Sequence, residues 1–192
     1  FFRKNLQLTI EELEQVNRIK GEGQRLEWLA SRYLLHVMSG RTIRGVCLKD
    51  EFGKPYLENS EFQISISHSN KYAAVLAAPF LVGIDIQKLV PKIERIAHKF
   101  LRPQEADSIK EPYRLEHLHI YWGAKEALYK AYGRRKLDFC QHILVEPFSY
   151  QTNKGQFKGK VKKNGFYAEF DMSYELIDNL MLVTALEKLS KT

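Results

Sequence analysis

Cysteine is scarce in this chain, and its scarcity excludes two kinds of protein. The 192 residues include only Cys47 and Cys140, which lie far apart and lack the paired spacing of a zinc site. A small secreted domain held together by disulfides carries cysteine at a much higher density, so that class is excluded as well. We expect both thiols to be reduced.

Long apolar runs are missing too. No stretch of about 18 apolar residues occurs, and the polar residues that follow Phe1 and Phe2 leave no room for the apolar segment of a secretory signal. We therefore expect a cytoplasmic protein with no membrane partner. With 44% hydrophobic residues, the chain can still bury the core of one or two compact domains.

Acidic residues are outnumbered by basic ones. The chain has 30 Lys plus Arg and 23 Asp plus Glu, which gives a formal net charge of +7. This balance favours an anionic partner such as a nucleic acid, a phosphorylated cofactor or an acidic protein, and charge alone cannot choose among them. Because the basic residues are dispersed and no nucleic-acid reader motif is present, we expect no nucleic-acid partner.

The spacing of hydrophobic residues predicts a helix followed by a small sheet in each half of the chain. Steps of three and four predict helices at 23–39 and 113–132, ended by Gly40 and Gly133. Alternation of apolar and polar residues predicts strands at 62–67, 72–78 and 81–86, joined as an antiparallel meander. Further strands are predicted at 143–145, 156–162, 166–176 and 180–186. We thus predict an α+β fold.

Several polar side chains stand out on these elements. On the strand 81–86, alternation places Asp85 and Gln87 on the face opposite the core. On the long helix, Trp122, Glu126 and Lys130 are four residues apart and share one side. With a serine–histidine pair on the neighbouring strand, these are the groups needed to bind a metal ion and a phosphate together.

Each feature also has a plainer explanation. A Glu and a Lys four apart in a helix usually add only about 0.2–0.5 kcal/mol of surface stability, and a strand Asp can simply hydrogen-bond a turn. Ser67 with His68 would suggest a hydrolase, but no G-x-S-x-G motif surrounds the serine. His117 and His119 are two apart on the predicted helix, point in different directions and make a poor pair of metal ligands.

Four motifs taken together resemble those of the larger, Sfp-type 4′-phosphopantetheinyl transferases in order and approximate spacing. No single motif would identify the family, and the resemblance covers residues 53–130, with the helix before them fitting more loosely. The motifs are Gly53-Lys54-Pro55, Ile66-Ser67-His68-Ser69, Gly83-Ile84-Asp85-Ile86 and the nine residues from Trp122 to Lys130.

The resemblance implies a fold and an activity. Residues 1–90 and 91–192 would form two similar lobes of one pseudo-twofold, intimately packed unit, with coenzyme A in the cleft between them. The implied enzyme moves the 4′-phosphopantetheine group from coenzyme A to a serine of an apo acyl or peptidyl carrier protein, needs Mg²⁺ and releases adenosine 3′,5′-bisphosphate. A monomer is expected. The alternative is a noncatalytic protein that only binds coenzyme A.

The resemblance also implies roles for individual residues. Asp85 and Glu126 would hold magnesium, which commonly uses one or two carboxylates together with substrate phosphate and water. Lys130 would face the pyrophosphate, and Glu126, directly or through a metal-bound water, would remove the proton of the carrier serine. The residues expected to hold coenzyme A phosphates are Lys54, Ser67 and His68, with Arg32 and either Arg18 or Lys20 at the 3′-phosphate.

The sequence departs from the family pattern at two places. Gln87 stands where an acidic residue is common, so a neutral amide would lie at the third position beside the metal. A glycine often found just beyond the long helix is replaced within the basic turn formed by Arg134, Arg135 and Lys136. This turn would suit an acidic carrier surface, and a solvated turn is the alternative.

Overall fold

Of the first three helices, the third packs against the N-terminal sheet, and the first two pack against the third. A computed structural model describes residues 1–189, and its chain begins with α1 (Phe2–Leu6), α2 (Ile10–Arg18) and α3 (Glu22–Ser39). Thr9 and Glu12 form a capping box at the start of α2, which satisfies two backbone N–H groups. Gly40 ends α3 in the left-handed conformation, as predicted.

The N-terminal sheet is antiparallel and follows the order of its strands in the sequence. It consists of β1 (Cys47–Lys49), β2 (Pro55–Leu57), β3 (Gln63–Ser69) and β4 (Tyr72–Ala78). Asn70 and Lys71 connect β3 to β4 with positive φ angles, a two-residue turn whose twist suits a hairpin. The predicted hairpin is confirmed.

The second sheet gathers the remaining strands in the order β5-β9-β8-β7-β6. They are β5 (Val82–Lys88), β6 (Ile143–Val145), β7 (Lys154–Lys163), β8 (Phe166–Ile177) and β9 (Leu180–Glu187). The predicted meander is therefore wrong at its third strand, because β5 pairs along its whole length with β9 and not with β4. The four other predicted strands of this half are confirmed.

The central helix α6 (Arg114–Tyr132) packs against the second sheet and supplies much of the main hydrophobic core. Shorter segments precede it: α4 (Ile93–Ile96), a 3₁₀ turn at Ala97–Lys99 and α5 (Pro103–Asp107). Its apolar residues Tyr121, Ala124, Leu128 and Ala131 are all fully buried. Gly133 ends the helix in the left-handed conformation, which confirms the predicted end.

A buried ion pair fixes α6 against the elements around it. Lys125 has no exposed surface, and its ammonium donates to Glu105 Oε1 at 2.8 Å and to the carbonyls of Phe139 and Ile143 at 3.0 and 2.7 Å. Glu105 also accepts the backbone N–H of Val145. Because the three ammonium N–H groups and the carboxylate all have partners, the pair is tolerated away from water.

The combination of helices with two antiparallel sheets confirms the predicted α+β class at this level of detail. Both cysteines are free thiols. Within residues 1–189, none of the helices has the length and apolar character required to span a bilayer.

Candidate active site

The site forms where β5 passes under α6. The two elements approach so closely that a Cβ at Gly83 would lie 1.8 Å from the carbonyl oxygen of Ala127. Glycine is therefore the residue that lets the helix rest on the strand. Asp85, two residues further along, points to the same face and meets the helix. Ile84 and Ile86 are buried on the opposite face of β5, as alternation predicts, and Asp85 is itself only 7% exposed because α6 covers its face.

Lys130 ties the two elements together. Its ammonium donates to Asp85 Oδ1 at 2.8 Å, to Ser67 Oγ at 2.9 Å and to the carbonyl of Ile84 at 2.9 Å. These contacts use all three N–H groups of the ammonium. The side chain keeps 27% of its surface exposed, so its outer side remains open to the cleft.

The carboxylate of Asp85 is buried and accepts hydrogen bonds on both oxygens. Ser67 Oγ donates to Oδ1 at 3.1 Å, beside the bond from Lys130, and the amide of Gln87 donates to Oδ2 at 3.2 Å. A carboxylate offers about four lone-pair directions. One direction therefore remains for a further ligand.

Glu126 adds a second carboxylate to the same place. Burial raises the pKa of Glu126, the negative charge of Asp85 raises it further, and Lys130 lowers it. Two carboxylates thus lie near one ammonium in a partly buried site, and a divalent cation would reduce the repulsion between them.

The donor set is compatible with magnesium, which prefers oxygen ligands and keeps several waters. Within residues 1–189, no cluster of three or more His, Cys, Asp or Glu side chains is placed to hold a metal ion. Such an ion would rest on Asp85 and Glu126 and take its other ligands from water or a bound phosphate.

Gln87 lies beside Asp85, where strand alternation predicts it. Its Nε2 donates to Asp85 and to the carbonyl of His119 at 3.1 Å, while its Oε1 is 2.9 Å from His119 Nδ1. The N–H of Val90 donates to His119 Nε2 at 2.9 Å, so Nδ1 carries the ring proton and donates to Gln87. The amide therefore presents its nitrogen to Asp85 and its oxygen to the histidine.

A small cavity opens next to these residues. It has a volume of about 170 Å³, and its lining includes Lys54, Lys130 and Arg135 together with Phe52 and Tyr129. Three cations around one cavity, in a chain of net charge +7, suit a ligand with several negative charges such as a pyrophosphate.

Lys54 reaches this cavity across the end of α6. Its ammonium donates to the carbonyl of Ala131 at 3.0 Å, and burial lowers its pKa. A Cβ at Gly133 would lie 2.4 Å from Lys54 Cδ, so the glycine leaves space for the lysine stem. The contact brings the loop before β2 onto the C-terminal end of the helix, where a cation is favoured.

The structure does not bring His68 to this cluster. Successive side chains of a strand point to opposite faces, and His68 lies on the other face of β3 from Ser67. Its Nδ1 is 2.9 Å from Glu27 Oε2 on α3, and half of its side-chain surface is exposed. His68 and Ser67 therefore do not act as a pair.

The three basic residues predicted for the 3′-phosphate lie among the N-terminal helices. Arg32 is 7% exposed, stacks 3.8 Å above the ring of Trp28 and has no partner for its Nε. Arg18 is exposed and pairs with Glu14, and Lys20 is exposed. Among the described residues, these three are not part of the cavity lining.

The hydrogen-bonding residues Ser65, His119 and Lys125 were not predicted from the sequence. The sequence shows polar residues Gln63, Ser65 and Ser67 on one face of β3, but the same alternation is typical of a strand face that is exposed to solvent. Nothing in the sequence distinguishes the buried Lys125 from an exposed helix lysine.

The segment that carries these residues is similar to a known protein family. Residues 81–173 match the 4′-phosphopantetheinyl transferase superfamily, a segment that contains Asp85, Glu126 and Lys130. The chain is 27% identical over 143 residues to a Synechocystis protein provisionally named a 4′-phosphopantetheinyl transferase, covering 66% of this chain and 57% of that protein.

Two further relatives bear the same name. A 4′-phosphopantetheinyl transferase of Bacillus subtilis is 28% identical over 88 residues, which are 44% of this chain and 39% of the relative. The corresponding protein of Aneurinibacillus migulanus is 27% identical over 133 residues, or 68% and 54%. The matches thus span about half the length of the relatives, and they confirm the resemblance predicted from the ordered motifs.

Proposed function

We propose, from the match of residues 81–173 to the 4′-phosphopantetheinyl transferase superfamily, that this chain is an enzyme that transfers the 4′-phosphopantetheine group of coenzyme A to a serine of an apo acyl or peptidyl carrier protein. One observation carries the proposal: Asp85, Glu126 and Lys130 converge beside a cavity lined by two more cations. Two carboxylates and several cationic side chains in one cleft are suited to transfer of a phosphoryl-linked group.

The chain's own residues have separable tasks in this reaction. Lys54 and Lys130 attract and orient the pyrophosphate, and Asp85 and Glu126 hold Mg²⁺. The ion, when bound, supplies positive charge that neutralises the phosphate oxygens. Gln87 remains a candidate third position beside the ion, and in its present orientation it acts through Asp85.

Glu126 takes the proton of the carrier serine, directly or through a water molecule. The serine Oγ then forms a bond to the β-phosphorus of the pyrophosphate, and the bond from that phosphorus to the bridging oxygen breaks. Adenosine 3′,5′-bisphosphate leaves with the electron pair, and Lys130 stabilises the charge.

The proposal includes the finer architecture of two related lobes with the cofactor between them. The first sheet with α3 and the second sheet with α6 support two lobes that approximate residues 1–90 and 91–192. Pairing of β5 with β9 favours a boundary near Leu81 over one after Val90. We further propose a cytoplasmic monomer.

The remaining proposed cofactor contacts lie among the N-terminal helices and at the end of β3. Arg32 retains one unpartnered donor, Nε, which supports a role at the 3′-phosphate. Arg18, Lys20 and His68 are exposed and would complete the phosphate contacts only if the cofactor extended beyond the cavity onto the N-terminal helices.

Incubation with coenzyme A, Mg²⁺ and an apo carrier protein tests the proposal. We expect the carrier to gain the mass of the phosphopantetheine arm, as measured by mass spectrometry. Glu126→Gln and Asp85→Asn should each lower the transfer rate by about 10²–10⁴-fold, the range for loss of a positioned acid or base. Circular dichroism serves as the folding control. Wild-type transfer rates in either variant would contradict these roles.

The same assay separates the enzyme from a noncatalytic coenzyme A-binding protein. Gln87, in place of an acid, is the observation that favours this second candidate. A protein that binds coenzyme A in calorimetry but leaves every member of a panel of apo carriers unmodified would support it.

A further inference from the structure

The turn that follows α6 holds two residues in a conformation that side chains rarely adopt. Arg135 has a φ angle of 54° and Lys136 has one of 59°. In this left-handed region the Cβ atom crowds the following carbonyl oxygen, whereas glycine adopts it without that cost. Arginine at position 135 is therefore unfavourable for the turn itself. Backbone strain of this kind persists where surrounding contacts impose it, and it is concentrated at ligand sites.

Arg135 is held against the loop before β2. Its Nε donates to the carbonyl of Phe52 at 2.6 Å. A Cβ at Gly53 would lie 3.1 Å from Arg135 Nη2, so the end of the guanidinium group lies close to the backbone of this glycine. These contacts place Arg135 beside the cavity of about 170 Å³, whose lining also includes Lys54 and Lys130.

The guanidinium group keeps most of its hydrogen-bonding capacity. It carries five N–H groups, and the contact to Phe52 uses only the one on Nε. Within residues 1–189, no carboxylate forms an ion pair with Arg135, and its Nη1 and Nη2 have no hydrogen-bond acceptor. The side chain is also exposed. Two terminal nitrogens are thus available to a ligand in the cavity.

This pair of nitrogens suits one class of ligand. Two parallel N–H groups match two oxygens of one phosphate or carboxylate group, and such charged bonds are stronger than bonds between neutral groups. Because the bond from Nε already fixes the guanidinium plane, less conformational entropy is lost when the ligand binds. The ammonium groups of Lys54 and Lys130 at the same cavity favour the ligand with more negative charge, which is a phosphate.

We propose that Arg135 binds the pyrophosphate of coenzyme A through Nη1 and Nη2, and that the unfavourable backbone conformation of the turn directs these nitrogens to the cavity. The inference rests on the proposed function, and it adds a cofactor contact to the two lysines already assigned. It also separates Arg135 from Arg134 and Lys136, which are not part of the cavity lining among the described residues.

Arg135→Gly tests the contact. Glycine suits the φ angle, which offsets the loss of the bond to Phe52, so the melting temperature should change little. The dissociation constant of coenzyme A should rise about 10- to 100-fold, the range for loss of hydrogen bonds to a charged group. Arg135→Lys keeps the charge but lacks the paired nitrogens, so its affinity should fall between those of wild type and the glycine variant.

Calorimetry with two ligands identifies the phosphate group. Coenzyme A and 3′-dephospho-coenzyme A both carry the pyrophosphate, so Arg135→Gly should weaken the binding of both by the same factor. Arg114→Gln is the matched control, because it removes one exposed arginine at the opposite end of α6, about 27 Å along the helix axis. We expect this control to change either dissociation constant by less than about threefold, since charges so far apart are screened.

Three results would overturn the inference. An affinity of Arg135→Gly for coenzyme A within about threefold of wild type would exclude the contact. A loss confined to coenzyme A would move Arg135 to the 3′-phosphate, and an equal loss in Arg114→Gln would reduce the effect to net charge. Failure of the proposed function is a different outcome, in which the wild type itself binds no coenzyme A or leaves every apo carrier unmodified.

Discussion

Gln87 is a neutral residue beside the carboxylate of Asp85, and its contacts define what a negative charge at this position would do. Gln87→Glu would place a third carboxylate beside Asp85 and Glu126 and would replace the amide that now donates to Asp85. Without a divalent ion, repulsion between like charges should lower the melting temperature. Magnesium should restore it, because the added charge strengthens binding of a cation.

Thermal unfolding with and without Mg²⁺ checks this prediction. The melting temperature of Gln87→Glu should rise more with magnesium than that of wild type, and the magnesium midpoint of the transfer rate should fall. Equal responses of the two proteins to magnesium would mean that residue 87 does not influence the ion. Gln87→Met, which removes the amide without adding charge, is the control for loss of the hydrogen bonds.

His117 lies apart from the site, and we expect it to influence stability in acid. It is 1% exposed, packs 4.6 Å from the ring of Phe148, and burial lowers its pKa from 6.5 to about 4. The unfolded chain therefore binds a proton at this residue between pH 6.5 and 4 when the folded chain does not. The free energy of unfolding should fall as the pH falls through this window.

His117→Phe should make that fall shallower, because phenylalanine takes up no proton. Urea unfolding at pH 7 and pH 4.5 measures the difference. We expect the loss of stability between the two pH values to be smaller in the variant than in wild type. An identical loss in both proteins would show that His117 is not the group responsible.

At the scale of secondary-structure elements, the contact between β5 and α6 depends on the missing side chain of Gly83. In Gly83→Ala the new Cβ would meet backbone atoms of Ala127, which cannot rotate away as a side chain could. The strand and helix must separate, so we expect the variant to lose about 3 kcal/mol or more of stability, as overpacked sites do. Transfer should fall as Asp85 and Glu126 move apart.

Gly23→Ala provides the comparison. This glycine lies in the first turn of α3, and apart from its chain neighbours and the backbone of its own helix, no atom of residues 1–189 lies within 4 Å of the position that an alanine methyl group would occupy there. We expect a stability unchanged or raised by about 0.5–1 kcal/mol. Urea denaturation of both variants measures whether a loss of stability comes from steric contact or from a general effect of replacing glycine by alanine. Similar changes in the free energy of unfolding of both variants would contradict the close approach of β5 and α6.

The positions of the secondary-structure elements could largely be predicted from the sequence, but the pairing of the strands could not. The two long helices and the strands β3 to β9 follow from local periodicity, and the ends of α3 and α6 follow from Gly40 and Gly133. The short strands β1 and β2 were not predicted. Strand alternation correctly placed Gln87 beside Asp85. Pairing of β5 with β9 depends on residues about 100 positions apart, which periodicity does not register.

The candidate site was likewise predicted only in part. Family motifs identified Asp85, Glu126 and Lys130, which the structure brings together. They did not reveal that both faces of β5 are covered, or that Ser67 and His68 separate onto opposite faces of β3. Burial of a polar residue depends on what packs above it, and the sequence of its own element does not contain that information.

At the scale of the whole molecule, the net charge of +7 favours capture of an acidic carrier. The basic turn beyond α6 contributes three exposed cations, of which Arg135 also donates to the carbonyl of Phe52. Reversing only Arg134 and Lys136 therefore spares this contact between the loops. The double reversal should slow association with the carrier about tenfold at low salt and weaken the salt dependence of the rate.

Lys4→Glu with Lys110→Glu is the matched control, because it changes the net charge equally at two other exposed positions. Initial rates of transfer at several salt concentrations, with the carrier below saturation, give the comparison. If the two double variants respond alike, total charge governs capture and the basic turn has no special role.

Because β9 lies between β5 and β8, the second sheet can form only late in synthesis on the ribosome. All four strands of the first sheet leave the exit tunnel before β5, so that sheet can form early. The strand that carries Asp85 must wait for residues 180–187 before its inner edge finds a partner. Until then the edge of β5 is open to wrong partners in a crowded cell. The half that carries Asp85 and Glu126 is thus the last part of the molecule to be completed during synthesis.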